Sequence, residues 1–199
     1  MSQGIAGDNP CHFLVPLLLH PSLEWQSYIF ALEGALRVLG VDPGTRFLGY
    51  GVLDVDGGQM ECLAWGTLQG GKSRDIHERL FSIHQGLHDI ATRWRPDQLA
   101  VEEPFVAPAR GAKSAVAVGQ AQAVALLIAA AFSMSVHRYA PSQVKSTVAN
   151  YGAGSKAQVQ RAVQLVLGLG VEPMSEDASD ALAIALCHVQ QARLKALVG

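Results

Sequence analysis

A chain of 199 residues, 49% hydrophobic and 16% charged, has the length of one ordinary domain with or without an appendage and enough apolar material for a substantial core, which excludes a disordered chain. Its net charge of −2 argues weakly against a polyanion partner, yet the total misleads: residues 1–36 hold three acids and no base, leaving 15 bases against 14 acids in residues 37–199. Three cysteines, Cys11, Cys62 and Cys187, are odd in number and too far apart for a zinc knuckle or a disulfide framework, which favours a reducing, cytoplasmic setting.

Residues 1–36 show no sustained helical or strand period, so they are read as an N-terminal extension, either disordered or lying upstream of a true start at Leu36. Phe13-Leu14-Val15-Pro16-Leu17-Leu18-Leu19 is similar to a signal-peptide core, but no Lys or Arg precedes it and no small-residue cleavage site follows, so secretion is not expected. The run from Ala121 to Phe132 is interrupted by Gln122 and is too short to cross a bilayer.

The domain is expected over residues 37–196. Residues 37–41 have the character of a buried strand, Asp42-Pro43-Gly44-Thr45 of a turn, and residues 47–55 of a second strand. Asp56-Gly57-Gly58 is a hairpin turn into a third, residues 60–68, so three consecutive antiparallel strands are predicted. A helix follows from Ser73, taken as its N-cap, with Ile76, Leu80, Ile83, Leu87, Ile90 and Trp94 on one face until Arg95-Pro96 stops it. A strand at 98–102 and a helix at 112–132 come next. That helix is apolar on almost every side, so it is expected to pack on the sheet with one face and on a second subunit with the other. Residues 136–139 make a fifth strand, and helices at 141–148, 155–167 and 175–196 complete the chain.

Four carboxylates stand at the ends of these elements. Asp42 ends the run Val38-Leu39-Gly40-Val41, Glu102 ends Leu99-Ala100-Val101, and Asp177 and Asp180 open the last helix. Two acids at strand ends converge at one sheet edge, and two more at i and i+3 share a helix face, so four hard oxygen ligands can meet around Mg2+. The pattern points to a metal-dependent nuclease. Taken singly, Asp42 is an ordinary turn residue and Asp177 an ordinary helix-start residue. Asp177 and Asp180 lie in a first helical turn, whose dipole is expected to favour their ionised form.

The stretch Val38-Leu39-Gly40-Val41-Asp42-Pro43-Gly44-Thr45-Arg46-Phe47-Leu48-Gly49-Tyr50-Gly51-Val52 resembles the opening of the RuvC family of Holliday junction resolvases. So do Val101-Glu102-Glu103-Pro104-Phe105, Gly119-Gln120-Ala121, Pro141-Ser142-Gln143-Val144-Lys145, Lys156-Ala157-Gln158-Val159-Gln160 and Asp177-Ala178-Ser179-Asp180-Ala181-Leu182-Ala183-Ile184-Ala185. The match runs in order from about Leu36 to about Ala192.

The resemblance implies an α/β, ribonuclease H-like fold: a five-stranded mixed sheet, three antiparallel strands then two parallel, flanked by helices. It implies a homodimer that binds a four-way DNA junction and nicks two strands of like polarity, leaving 5'-phosphate and 3'-hydroxyl ends. Asp42, Glu102, Asp177 and Asp180 match the family's metal ligands, implying paired Mg2+ ions about 3.5 to 4 Å apart, for which Mn2+ can substitute. Glu103 and Glu176 adjoin two of these; Glu102 is preferred because the family pattern puts the ligand first and strand alternation sends Glu103 to the other face. Glu176 is read as solvated.

Lys145 and Lys156 match DNA-contacting positions near the cut, Lys156 also joining the catalytic set, and Phe105 matches an aromatic that stacks on a base at the junction centre. Between Phe105 and Gly119 the chain is about two residues longer than the family pattern, and Gln122 stands where a basic residue is usual. Arg110 and Lys113 are the candidates to replace it. A branch-migration helicase and its junction-binding protein are the partners the family implies.

Three other motifs compete. Gly66-Thr67-Leu68-Gln69-Gly70-Gly71-Lys72-Ser73 matches a phosphate-binding P-loop, giving a nucleotide hydrolase as the alternative; a P-loop belongs after a parallel strand, and here the preceding strand is the third of an antiparallel set. Asp42-Pro43-Gly44-Thr45 is also similar to the phosphate turn of actin-like ATPases, which need two lobes and a longer chain. His77, His84 and His88 flank the first helix as a polar boundary stripe or a transition-metal pair. A catalytically inactive junction-binding protein is the non-enzymatic alternative.

Overall fold

The computed structural model describes residues 35–73, 75–103, 112–149, 155–170 and 173–198. Its elements in chain order are β1 (Leu36–Asp42), β2 (Phe47–Asp56), β3 (Gln59–Gln69), α1 (Ile76–Trp94), β4 (Gln98–Glu102), α2 (Ala112–Ala131), β5 (Ser135–Tyr139), α3 (Pro141–Ala149), α4 (Lys156–Leu167) and α5 (Glu176–Val198). The five strands form one sheet in the order β3-β2-β1-β4-β5, with β1, β2 and β3 antiparallel and β1, β4 and β5 parallel.

Each feature has a local cause. Gly57 and Gly58 both have positive φ, 52° and 86°, which is what a tight hairpin between right-twisted strands demands. The helix α1 begins two residues later than expected: Asp75 is its N-cap, and Ser73 Oγ instead accepts a hydrogen bond from the Asp75 amide at 3.0 Å. The left-handed Arg95 ends that helix, its amide donating to the Ala91 carbonyl. Ser155 caps α4 through a reciprocal capping box with Gln158, and Gly168 at φ 65° closes it.

Strand alternation sorts the core into two layers. Leu39, Val41, Tyr50, Val52 and Leu99 pack against Ile83 and Leu87 of α1 and Val124 and Ile128 of α2. Val38, Leu53, Val55 and Ala100 face the other way, onto Ala178, Leu182, Ile184 and Ala185 of α5, with Val148 of α3 and Val163 of α4 beside it. Period-two alternation therefore sends Asp42 and Glu102, two residues beyond Gly40 and Ala100, to the α5 side.

α5 lies unusually close to the sheet because glycines clear its path. A Cβ on Gly49 would come within 1.8 Å of the Asp177 carbonyl oxygen, and one on Gly40 within 2.3 Å of that of Ala181. No ordinary side chain fits there, so these two positions fix the height and register of the helix start above β1 and β2.

A polar cross-brace pins the middle of α5. His188, 2% exposed, has its Nδ1 2.6 Å from the Tyr139 hydroxyl and its Nε2 2.5 Å from Gln98 Oε1. Since the amide oxygen only accepts, Nε2 carries the proton and the tyrosine donates to Nδ1, so the ring is neutral. Burial, then His137 and Lys195, lowers the His188 pKa to about 4, in agreement with that tautomer.

Candidate active site

The sheet register builds the site. Asp42 is paired with Gly49, and Gly49 with Thr67, giving a row across three strands at one edge. On the other side, the parallel pairing of Val41 with Val101 sets Asp42 beside Glu102. Ser175 Oγ meets Thr67 Oγ at 2.5 Å and accepts the Ala178 amide at 3.2 Å, so a single hydroxyl caps α5 and ties its start to the same row. Asp177 and Asp180 are thereby held over Asp42.

Electrostatics report the convergence. The Asp42 pKa is raised from 3.8 to about 7, by burial first and then by the charges of Asp180, Glu102 and Asp177, with Lys156 opposing. Asp180 is also raised, again by burial first, against the pull of Lys156 and with a push from Glu176 and Asp177. The first-turn dipole is thus not the dominant influence on Asp180, because desolvation of a part-buried carboxyl outweighs it and moves the pKa upward.

Of the other residues expected from sequence, Lys156 joins this group. Lys145 is exposed on α3 and is not among the charges acting on Asp42 or Asp180. Phe105 and Arg110 lie outside the described residues, and Lys113 belongs to the first turn of α2, where side chains are not described. Glu103 is exposed, its amide donating to the Tyr139 carbonyl. Glu176 is exposed as expected, but its carboxylate is paired with Lys156 at 2.6 Å.

Two supporting residues were not anticipated. Gln122, 6% exposed, donates from Nε2 to the backbone carbonyl of Glu102 at 3.1 Å, so α2 braces the end of β4. Its sequence signal was the polar interruption of an apolar helix. Ser175 carried only the generic signal of a serine before an acidic helix start.

The donor set fits a hard divalent cation. Carboxylates alone, without thiolate or imidazole, suit Mg2+ or Mn2+, and a divalent charge would offset the burial and the neighbouring charges that raise the Asp42 pKa to about 7. Among the described residues a separate trio is Asp75, His77 and Glu78, whose ligand atoms all lie within 4.8 Å of one another, all exposed at the start of α1. His84 and His88 form no such trio; they stack at 6.3 Å between Phe81 and Phe132.

The P-loop reading fails on topology. Gly66, Thr67, Leu68 and Gln69 are the last residues of β3, an antiparallel edge strand, and no parallel strand delivers the glycines to a helix start.

Comparison with known proteins finds relatives in both sequence and fold. A chain from Dehalococcoides mccartyi strain 195, described as crossover junction endodeoxyribonuclease RuvC, is 44% identical over 153 residues, covering 77% of this chain and 92% of the relative. The structure of Thermus thermophilus RuvC in complex with Holliday junction substrate is similar with a TM-score of 0.70 and 34% identity, over 80% of this chain and 96% of that one. A yeast mitochondrial Holliday junction resolvase shares the fold at a TM-score of 0.60 with 15% identity, over 86% of this chain and 85% of that one. The family model for crossover junction endodeoxyribonuclease RuvC matches residues 38–188, and the chain belongs to that family.

Proposed function

We propose that this chain is a structure-selective endodeoxyribonuclease that resolves four-way DNA junctions in recombination and repair. It nicks two strands of like polarity at symmetric positions and leaves 5'-phosphate and 3'-hydroxyl ends. The observation that carries this reading is the meeting of Asp42, Glu102, Asp177 and Asp180 with Lys156 at one sheet edge, in a chain of the RuvC family.

In this reading the four carboxylates hold two Mg2+ ions, or Mn2+ in their place. When bound, the ions supply Lewis-acid stabilisation of the phosphoryl charge and activation of water. The chain's own groups do the rest. Gly40 and Gly49 let α5 set Asp177 and Asp180 against Asp42, Gln122 fixes the end of β4 that carries Glu102, and Lys156 offers a point charge to a phosphate oxygen. Lys145, Arg110 and Lys113 extend the phosphate contacts, and Phe105 stacks on a base at the junction centre.

A homodimer suits a two-fold substrate, and α2 offers the surface for it. Val116, Gln120, Ala123, Leu127 and Ala130 are exposed at spacings of four, three, four and three, a heptad-like seam on a helix whose other side is buried against α1 and the sheet. Val116 is 59% and Leu127 65% exposed, which is unusual for such side chains unless something covers them. A branch-migration helicase and its junction-binding protein are the further partners, and the cytoplasm the compartment; among the described residues no helix is long and apolar enough to cross a membrane.

The test is incubation of a four-way junction and a linear duplex of the same sequence with the protein, with Mg2+ and with EDTA. Metal-dependent cutting confined to the junction supports the proposal. Tight junction binding without cutting would favour the inactive binding protein, and no junction preference would reject both.

A further inference from the structure

Lys156 is the first residue of α4 and Glu176 the first residue of α5, and their side chains meet with Nζ 2.6 Å from Oε2. The two ends of this pair are not equivalent. A carboxylate at a helix start is favoured by the macrodipole, whereas a lysine there is opposed by it. Such a lysine needs an anion opposite it, and in the DNA-free protein Glu176 supplies one.

The pair sits on a fixed frame. The capping box holds the backbone on either side of Lys156, and Gln160 Nε2 donates to the Met174 carbonyl, tying α4 to the segment that leads into α5. Between the two helix starts lies a small cleft lined by Lys156, Ala157, Gln160, Glu176, Ser179 and Asp180. Within it, the Ser179 hydroxyl is buried, 2% exposed, and has no hydrogen-bond partner among the described residues. A cleft with a lysine, two helix N-termini and a spare hydroxyl has the donors a phosphate oxygen requires.

We propose that Glu176 is a stand-in anion that occupies, at Lys156, the place a DNA phosphate takes on binding, and that it thereby weakens the hold of the site on DNA. The inference rests on the nuclease reading of the site. A phosphate entering beside Asp180 would bring a further negative group next to Glu176, and one ammonium cannot serve both at full strength. Glu176 therefore leaves Lys156 when DNA arrives. Both side chains are well exposed, 73% and 66%, so the exchange needs no opening of the core.

The test is a double-mutant cycle on DNA affinity in EDTA at low salt: wild type, Glu176→Gln, Lys156→Gln and the double variant, each titrated with a labelled four-way junction and with linear duplex. Melting temperatures confirm that all four proteins are folded. Since exposed ion pairs contribute modestly, Glu176→Gln should tighten binding about two- to fivefold when Lys156 is present and leave it unchanged in the Lys156→Gln background. Equal tightening in both backgrounds would make Glu176 a diffuse repulsive charge and overturn the proposal, as would no tightening at all. The two DNAs separate the inference from the function beneath it. Loss of junction preference in wild type with the coupling intact rejects the resolvase reading alone, and junction preference with an additive cycle rejects the stand-in role alone.

Discussion

Asp42→Asn should stabilise the metal-free protein while abolishing its cleavage. The carboxyl of Asp42 ionises near 3.8 in the unfolded chain but holds its proton to about 7 in the fold, because burial and then Asp180, Glu102 and Asp177 oppose its charge. The folded state thus binds more protons between those two values, and stability falls as pH rises through that window. A shift of about three units at about 1.4 kcal/mol each sets a ceiling of roughly 4 kcal/mol, fully expressed above pH ~7 and absent below pH ~4. Asparagine has a similar shape and no charge to bury. In EDTA at about pH 8 the variant should melt higher by up to roughly 10 °C, with the gap closing as pH falls toward about 4. Adding Mg2+ should raise the melting temperature of wild type and narrow the difference, since a ligand of the native state stabilises it by mass action. The assay is thermal unfolding of both proteins across pH, with EDTA and with Mg2+. A variant that melts lower than wild type in EDTA at the alkaline end would refute the idea that Asp42 sits in a repulsive, metal-seeking site.

Four further outcomes follow from other parts of the fold. The His188 pKa is lowered to about 4 from 6.5, so the unfolded chain takes up the proton first and stability is lost as pH falls from about 6.5 to about 4, by up to roughly 3 kcal/mol. Melts of the Asp42→Asn protein remove one opposing contribution and leave that of Asp180, so they are compared with the same protein carrying His188→Gln, and identical pH profiles for the two would contradict the neutral, doubly bonded ring. Gln122→Leu removes the donor to the Glu102 carbonyl and should raise the Mg2+ concentration for half-maximal cleavage about 10- to 100-fold, the usual cost of losing an outer-shell support; an unchanged metal requirement would dismiss the brace. Lys156→Gln should weaken junction binding and lower the slope of log affinity against log salt by about 1, one phosphate contact, as read from binding titrations. Leu127→Glu, at the centre of the exposed seam of α2, should leave a folded monomer by sedimentation and circular dichroism, and a variant that remains dimeric would move the interface elsewhere.

Much of this was legible in the sequence because it is local. The buried run from Val38 to Val41, the Asp56-Gly57-Gly58 hairpin and the helical face from Ile76 to Trp94 are written in neighbouring residues, and the strands and helices fall where those patterns put them. The four carboxylates were visible because each ends or begins an element, so element order alone predicts their meeting. What escaped was non-local. The brace from Gln98 through His188 to Tyr139 joins residues 90 and 49 positions apart and has no periodic signature. The glycines at 40 and 49 mark a close helix approach, but without the pairing of Asp42 with Gly49 nothing in the sequence says which helix approaches. The upward shift at Asp180 escaped for the same reason: a dipole is local and readable, whereas burial is set by the whole fold.

The central claim, that the carboxylate cluster cuts four-way junctions in matched pairs, is tested most directly by mapping the cuts. A mobile junction with each strand labelled in turn is incubated with Mg2+, and the products are offered to a ligase. The account predicts nicks at symmetric positions in two strands of like polarity, sealable without further processing and lost in the Asp42→Asn protein. Unpaired nicks, ends that a ligase cannot seal, or cutting that survives the loss of Asp42 would contradict it.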